Sequence, residues 1–255
     1  MLTVCIVSHN DQATIDKAVR GILQHMPVDG RLLIVDNASS DNTLEIVGKI
    51  PQIQLIRLDK NLGFGSGHNA ALPYLNAKYH AIINPDIEVK DDVLQQICDY
   101  MDEHPDVAMV QPMVYFPDGQ AQHHGKKDPT FLDLFIRLFF PGRFHKRQAR
   151  YLRLDADYSK PFAVDVASGC FMVVRTELFK RIGGFDRRFF LYFEDNDLSR
   201  RIRQHGRIMH VPFGHVVHHW NRSSRRSWKS LLIMLSSAFR YFAKWGPGSR
   251  RGKDT

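Results

Sequence analysis

The chain has 255 residues, 44% of them hydrophobic, which is enough for one sizeable core or for one core with an appendage. It carries 35 Lys/Arg against 27 Asp/Glu, a net charge of +8, and three scattered cysteines, Cys5, Cys98 and Cys170. An odd number of thiols in apolar surroundings reads as the reduced core cysteines of a cytosolic protein and excludes a disulfide framework or a zinc site. No apolar run approaches the roughly 20 residues of a membrane-spanning helix, and no signal-peptide pattern opens the chain.

The positive charge is local. Residues 222–255 hold nine Lys/Arg and one Asp, so the preceding 221 residues balance at 26 of each sign. A second basic cluster, Lys126 to Arg153, has eight Lys/Arg and two Asp. Two patches on an otherwise neutral chain point to an anionic surface such as lipid headgroups. Nucleic acid fits less well, because no recognisable binding module is present.

Residues 2–7 are a β-rich apolar run that ends at Ser8-His9-Asn10. Ile15, Ala18, Val19, Ile22 and Leu23 then fall at helical spacing, stopping near Pro27 and Gly30. Leu32 to Val35 is a second buried strand, running into Asp36-Asn37-Ala38-Ser39-Ser40-Asp41. Asp41 is a fair N-cap for a helix carrying Leu44, Ile46 and Val47. A third strand, Gln54 to Leu58, leads into Asn61-Leu62-Gly63-Phe64-Gly65-Ser66-Gly67-His68-Asn69, with a short helix expected after it. These glycines do not make a dinucleotide fingerprint. Ala70 stands three beyond Gly67, where the motif needs a Gly after two residues, and the stretch follows the third strand and not the first. They are expected to let backbone approach a ligand closely.

Tyr79 to Ile83 is the next buried strand, and it ends at Asn84-Pro85-Asp86. Strand–helix alternation with short connections predicts a doubly wound α/β layer on a parallel sheet. Its polar strand tips, Ser8 to Asn10, Asp36 and Asn84 to Asp86, should line one crevice. Asp86 reads either as an ordinary Pro-turn aspartate or as a hard oxygen donor for Mg²⁺ or Mn²⁺ carrying substrate phosphates.

Further on, Asp91 to His104 is an amphipathic helix and Val107 to Val114 a strand. Phe131, Leu132, Phe135, Leu138 and Phe139 form an apolar stripe within the basic cluster, either a core helix or an interfacial membrane helix. Val164 to Val174 reads as a strand with a small-residue opening, Ala167-Ser168-Gly169, and the next helix stops at Gly183-Gly184. Phe189 to Phe193 then precedes Glu194-Asp195-Asn196-Asp197. Three carboxylates in four residues suit a helix N-terminus, and the aromatic neighbours could desolvate one until it accepts a proton. His215, His218 and His219 close a strand as hydrogen-bonded side chains or as ligands. From Ser224 onward, apolar residues such as Trp228, Leu231, Leu235 and Phe239 share one face and Arg225, Arg226, Lys229, Arg240 and Lys244 lie elsewhere. That is the pattern of a helix lying on an anionic membrane surface.

Taken in order, several of these stretches resemble the inverting GT-A glycosyltransferases of family 2. They are Val7-Ser8-His9-Asn10, Val35 to Asp41, Asn61 to Gly65, Asn84-Pro85-Asp86, Gly183 to Asp186 and Glu194 to Leu198, and the likeness covers about residues 2–223. Asn-Pro-Asp in place of the commoner Asp-x-Asp, with Gly-Phe-Gly, is most similar to bacterial rhamnosyltransferases of O-antigen or other surface polysaccharide assembly. The resemblance implies a GT-A domain over 1–223, with a basic, apolar insertion at about 126–153, and a C-terminal helix and tail over 224–255. It implies a donor site of Ser8, Asn10, Asp36, Asn37, Gly65, Asn69, Asn84 and Asp86. Arg201, seven residues after Glu194, would contact the diphosphate. Asp86 and His218, which stands five before Ser223, would hold Mg²⁺ or Mn²⁺. Asp195 would be the general base, and Ser168, Gly169 and Glu194 would meet the acceptor. The implied reaction moves L-rhamnose from dTDP-rhamnose to a polyprenyl-diphosphate-linked sugar, at an anionic membrane on its cytoplasmic face. Asn84 removes one anionic metal ligand from the family pattern. A nucleotidyltransferase on a similar sheet, or a basic nucleic-acid-binding protein, are the rival expectations.

Overall fold

The computed structural model describes residues 1–140, 142–219 and 228–248. The first half alternates as the sequence predicts: β1 (Leu2–Ser8), α1 (Ile15–His25), β2 (Arg31–Asp36), α2 (Thr43–Gly48), β3 (Ile53–Arg57), α3 (Phe64–Asn69) and β4 (Tyr79–Ile83). There follow β5 (Ile87–Val89), α4 (Val93–Glu103), β6 (Val107–Tyr115), β7 (Ala121–Gln122), α5 (Phe131–Phe139) and α6 (His145–Tyr151). The chain then runs through β8 (Phe162–Ala163), β9 (Phe171–Arg175), α7 (Thr176–Arg181), α8 (Glu194–Ile202), β10 (Arg207–His218) and α9 (Trp228–Trp245).

All seven residues of β1 are buried, because both faces of the sheet are covered. Alternate side chains serve alternate cores. Val4 and Ile6 join the layer with Ile15, Val19 and Ile97, while Cys5 and Val7 join the layer with Phe179, Phe185 and Leu198.

The sheet is mostly parallel, as the GT-A resemblance implies, with β9 and β5 reversed on its main path. Its order is β3-β2-β1-β4-β9-β6-β10-β5, with β7 on β6 and β8 on β10. β1, β2, β3 and β4 are mutually parallel, but β9 runs antiparallel to both β4 and β6, and β5 antiparallel to β10. After β6 the excursion through α5 and α6 returns to the same edge of the sheet, so β9 enters in the reverse direction. The strand expected over 164–174 is regular only at Phe171–Arg175, and the residues before it bend across the sheet edge.

The Gly-rich stretch also differs from expectation. It is itself the helix α3, and its glycines make room for protein. Gly63 takes a left-handed φ of 81°, and Phe64 N donates to Phe190 O at 2.9 Å. A Cβ on Gly65 would lie 2.8 Å from the Cβ of Phe185.

The inner face of α9 belongs to a third apolar cluster, with Tyr241 and Ala238 buried against Phe189 and Phe193. A buried knot fastens the helix. Asp197, which is fully buried, accepts from Arg201 Nε at 2.8 Å, from Trp245 Nε1 at 2.8 Å and from Lys244. Lys244 also donates to Asp186 at 2.8 Å, and Ser237 Oγ donates to Leu191 O at 2.8 Å. No described helix is long and apolar enough to cross a membrane.

Lys244→Ala removes one cationic donor from a fully buried carboxylate that keeps two others. It should lower the unfolding free energy by about 1–3 kcal/mol in urea titrations. An unchanged midpoint would show that α9 is not held through Asp197.

Candidate active site

The segment Ala167 to Cys170, just ahead of β9, is held from three directions. Ala167 N donates to Ser199 Oγ on α8 at 3.1 Å, and Ser168 N to Gln111 Oε1 on β6 at 2.9 Å. Asn84 N, at the tip of β4, donates to Cys170 O at 2.9 Å. Gly169 N then faces Asp195 Oδ2 at 3.4 Å. A cavity of about 440 Å³ opens there, and Asn84, Asp86, Ser168, Gly169, Asp195 and His218 are among its walls. Burial pushes the Cys170 thiol up to about 11, and both Asp86 and Asp195 add to that push from nearby.

The two sides of the cavity are built differently. On one, β5 pairs antiparallel with β10 so that Ile87 meets His218, and His219 N donates to Asp86 O at 2.9 Å. This register sets His218 Nε2 3.3 Å from Asp86 Oδ1, a buried oxygen with no hydrogen bond. Gln122 Oε1 lies 3.1 Å from His218 Nδ1 and 2.9 Å from His124 Nε2. With Nδ1 donating to Gln122, the lone pair on Nε2 faces the Asp86 carboxylate. Two acceptors facing each other at that separation suit a divalent cation between them. His124, Cys170 and His218 also bring donor atoms within 4.8 Å of one another. Gln122 and His124 are not legible in advance, since a two-residue strand and an isolated His carry no motif. The triplet Asn221-Arg222-Ser223 that completed the histidine pattern lies outside the described residues.

On the other side, Phe193 ends the aromatic stretch with a φ of 65°, and α8 starts at once. Asp195 Oδ1 accepts from Asn196 N at 2.8 Å and from Asn196 Nδ2 at 2.7 Å. These donors and the helix N-terminus hold the carboxylate toward the cavity.

Of the remaining donor residues, Ser8 and Asp36 pair in register at neighbouring strand tips. Ser8 Oγ donates to Asp11 Oδ2 at 2.9 Å, and Asp36 keeps one buried oxygen, Oδ1, without a hydrogen bond. Asn10, at a φ of 62°, accepts from Ser40 N at 2.7 Å. The other four serve as braces. Asn37 Nδ2 donates to Gly63 O at 3.1 Å, and Asn37 Oδ1 accepts from Leu62 N at 2.9 Å. Asn69 exchanges two 2.8 Å bonds with the Phe185 backbone, and Gly65 packs on the Phe185 side chain. Arg201 does not line the cavity. Its Nε donates to Asp197 and its Nη1 to the carbonyls of Ile182 and Gly184, at 3.1 and 2.7 Å, while Nη2 is buried without a hydrogen bond.

Comparison with known proteins bears on this geometry. The family described as Glycosyl transferase family 2 matches residues 3–183. The rhamnosyltransferase WbbL of Escherichia coli K12 is 30% identical over 258 residues, covering 96% of this chain and 93% of that protein. The N-acetylglucosaminyl-diphospho-decaprenol L-rhamnosyltransferase of Mycobacterium tuberculosis is 27% identical over 212 residues, covering 76% of this chain and 68% of that one. Among solved structures, GalNAc-T7 with UDP, GalNAc and Mn²⁺ superposes with a TM-score of 0.71 at 16% identity. That alignment covers 96% of this chain and 48% of the other. At such identity the likeness is one of fold, and it matches the GT-A arrangement.

The sequence expects the aromatic stretch to desolvate one carboxylate of the acidic cluster, and in the structure that one is Glu194. Burial pushes its carboxyl up to about 8, the charge of Asp195 adds to the shift, and Oε2 has no hydrogen-bond partner. A raised carboxyl favours the folded state while it is protonated. Its contribution is therefore full below the ordinary Glu value and is lost as pH rises through about 8. Glu194→Gln should flatten the fall in melting temperature between pH 4.5 and about pH 8, the window set by the ordinary and the raised values. A parallel decline in both proteins would place the titration elsewhere.

Proposed function

Because the chain belongs to glycosyl transferase family 2, we propose that it moves L-rhamnose from dTDP-rhamnose to a polyprenyl-diphosphate-linked sugar, inverting the anomeric centre. The chain is a glycosyltransferase of the GT-A fold, related to enzymes of surface-glycan synthesis. The observation that carries the proposal is the sharing of one cavity by Asp86, with His218 beside it, and Asp195. The names of the two rhamnosyltransferase relatives support the choice of sugar and of a lipid-linked acceptor.

In this proposal Ser8, Asn10 and Asp36 take the nucleoside at the tips of β1 and β2, and Asp36 Oδ1 is the buried acceptor left for it. Asp86 and His218 would hold Mg²⁺ or Mn²⁺, which offsets the charge developing on the leaving diphosphate. Asn84 stands beside them and supplies no charge. Asp195 accepts the proton of the acceptor hydroxyl as that oxygen attacks the anomeric carbon from the face opposite the diphosphate. A single displacement needs only one base, and the neighbouring Glu194 is free to hold its proton and to bind the acceptor as a hydrogen-bond donor. Asn196 and Gly169 keep the Asp195 carboxylate in place. Asn37, Gly65, Asn69 and Arg201 act on the donor only indirectly, by holding the loops around it.

The enzyme is proposed to work on the cytoplasmic face of an anionic membrane. Trp228 (81% exposed) and Phe239 (76%) on α9, with Phe139 (65%) on α5, form an outward apolar surface beside the site. The basic residues 222–227 and 249–255 that would add charge lie outside the described residues.

Asp195→Asn should cut transfer by three orders of magnitude or more while donor binding stays within a few-fold, about the loss expected for a missing base with geometry retained. Mass spectrometry of products, with NMR of the new linkage, reads both the sugar and the inversion. Full activity in the variant, or a retained anomeric configuration, would overturn the proposed mechanism. The double variant Trp228→Ser, Phe239→Ser keeps the buried face of α9 and should release the protein from anionic vesicles in flotation assays. Undiminished flotation would move the membrane contact elsewhere.

A further inference from the structure

A second cavity, of about 370 Å³, adjoins the first and shares four walls with it: Lys126, Arg137, Glu194 and Asp195. It lies between α5 and α9. Its lining also includes an apolar set, Leu134 and Leu138 from α5 with Leu231 and Met234 from α9, beside polar groups such as Tyr151, Asn196 and Ser230. Asp133, the one other carboxylate at this end, is already committed. It pairs with Arg147 at 2.7 Å and closes the capping box with Thr130 at the start of α5. One cavity thus holds the carboxylate of Asp195, two positive side chains and hydrocarbon.

The two helices that line this cavity also expose apolar side chains. Phe131 and Phe135 on α5 and Leu232 and Leu235 on α9 all stand at least two-fifths exposed. Side chains of this kind around an open groove mark a place where hydrocarbon is met. The volume suits a short length of chain and not a whole polyprenyl tail, so the remainder would leave through the mouth.

We propose that this cavity is the seat of the acceptor's diphosphate and of the first part of its isoprenoid chain, with Lys126 and Arg137 on the anion and Leu134, Leu138, Leu231 and Met234 on the hydrocarbon. The proposal rests on the transferase function above and adds the acceptor's path to it. The combination of walls explains the occupant. A hydroxyl, an anion and an apolar tail are the groups of a sugar linked through diphosphate to a lipid. A bare lipid would leave the two cations without a partner from the ligand, and a soluble saccharide would leave the apolar half wet. Glu194, held protonated by its burial, adds no negative charge beside the anion.

Calorimetry on the full-length protein with farnesyl diphosphate, farnesol, inorganic diphosphate and dTDP tests this. Farnesyl diphosphate should bind at least about tenfold more tightly than farnesol or diphosphate, since it engages both halves of the cavity. It should also leave dTDP binding unchanged. Met234→Trp, which fills the apolar half, should weaken farnesyl diphosphate about tenfold or more and spare dTDP. Leu138→Trp tests the same half from α5, and retained dTDP binding verifies that each variant is folded. Arg137→Gln should weaken farnesyl diphosphate and leave farnesol unaffected. Displacement of farnesyl diphosphate by dTDP, or indifference to both tryptophan variants, would overturn the proposal. So would vesicle binding without affinity for farnesyl diphosphate, which would make the cavity part of a membrane-docking face. Failure of the transferase function itself reads out separately, as a protein that binds neither dTDP nor any other nucleoside diphosphate.

Discussion

The site depends on four residues, Ala167 to Cys170, being bent across the edge of the sheet. Their backbone hydrogen bonds reach α8 through Ser199, β6 through Gln111 and the tip of β4 through Asn84. These three elements come from distant parts of the chain, and this segment bonds to all of them. It can do so because β9 enters the sheet antiparallel between β4 and β6, so that its start lies at the ligand edge. A parallel strand there would begin at the far edge, and Asp86 and Asp195 would lose their common neighbour. Small side chains at Ala167, Ser168 and Gly169 suit this position, since the backbone itself lines the cavity.

The second constraint is the burial of Asp197. A fully buried carboxylate is costly unless its oxygens are satisfied, and here Arg201, Lys244 and Trp245 satisfy them. The consequence reaches beyond stability. Asp197 lies two positions after Asp195 on the same helix, so the knot that fixes α9 also fixes the first turn that carries the proposed base. A helix whose outer face is apolar and whose inner face is tied to that turn joins an exposed apolar surface to Asp195. It explains why the cavity walls on both sides of Asp195 include residues of α5 and α9.

The Gly-rich stretch shows how the same residue type serves two purposes that local sequence cannot separate. Glycine permits close approach, and in α3 the group that approaches is Phe185 and not a ligand. Asn37 and Asn69 follow the same pattern. Asn37 follows the tip of β2 and Asn69 ends α3, and both spend their amides on backbone that is distant in sequence, Asn37 on Gly63 and Asn69 on Phe185. Arg201 is drawn away by a carboxylate one helical turn before it.

The amino-acid sequence alone determined the first four parallel strands, the polar tips at Ser8, Asp36 and Asn84 to Asp86, the acidic start of α8 and the amphipathic character of α9. These are local properties: apolar runs, turn residues and charge at a helix end, each legible within a dozen positions. Tertiary structure decided the rest. The antiparallel insertion of β9, the pairing of His218 with Gln122 across 96 positions and the Asn69 bonds across 116 depend on where the chain returns. Which polar side chain is left for a ligand is a matter of which partners remain after folding, and hydrogen-bond partners this far apart leave no periodicity to read.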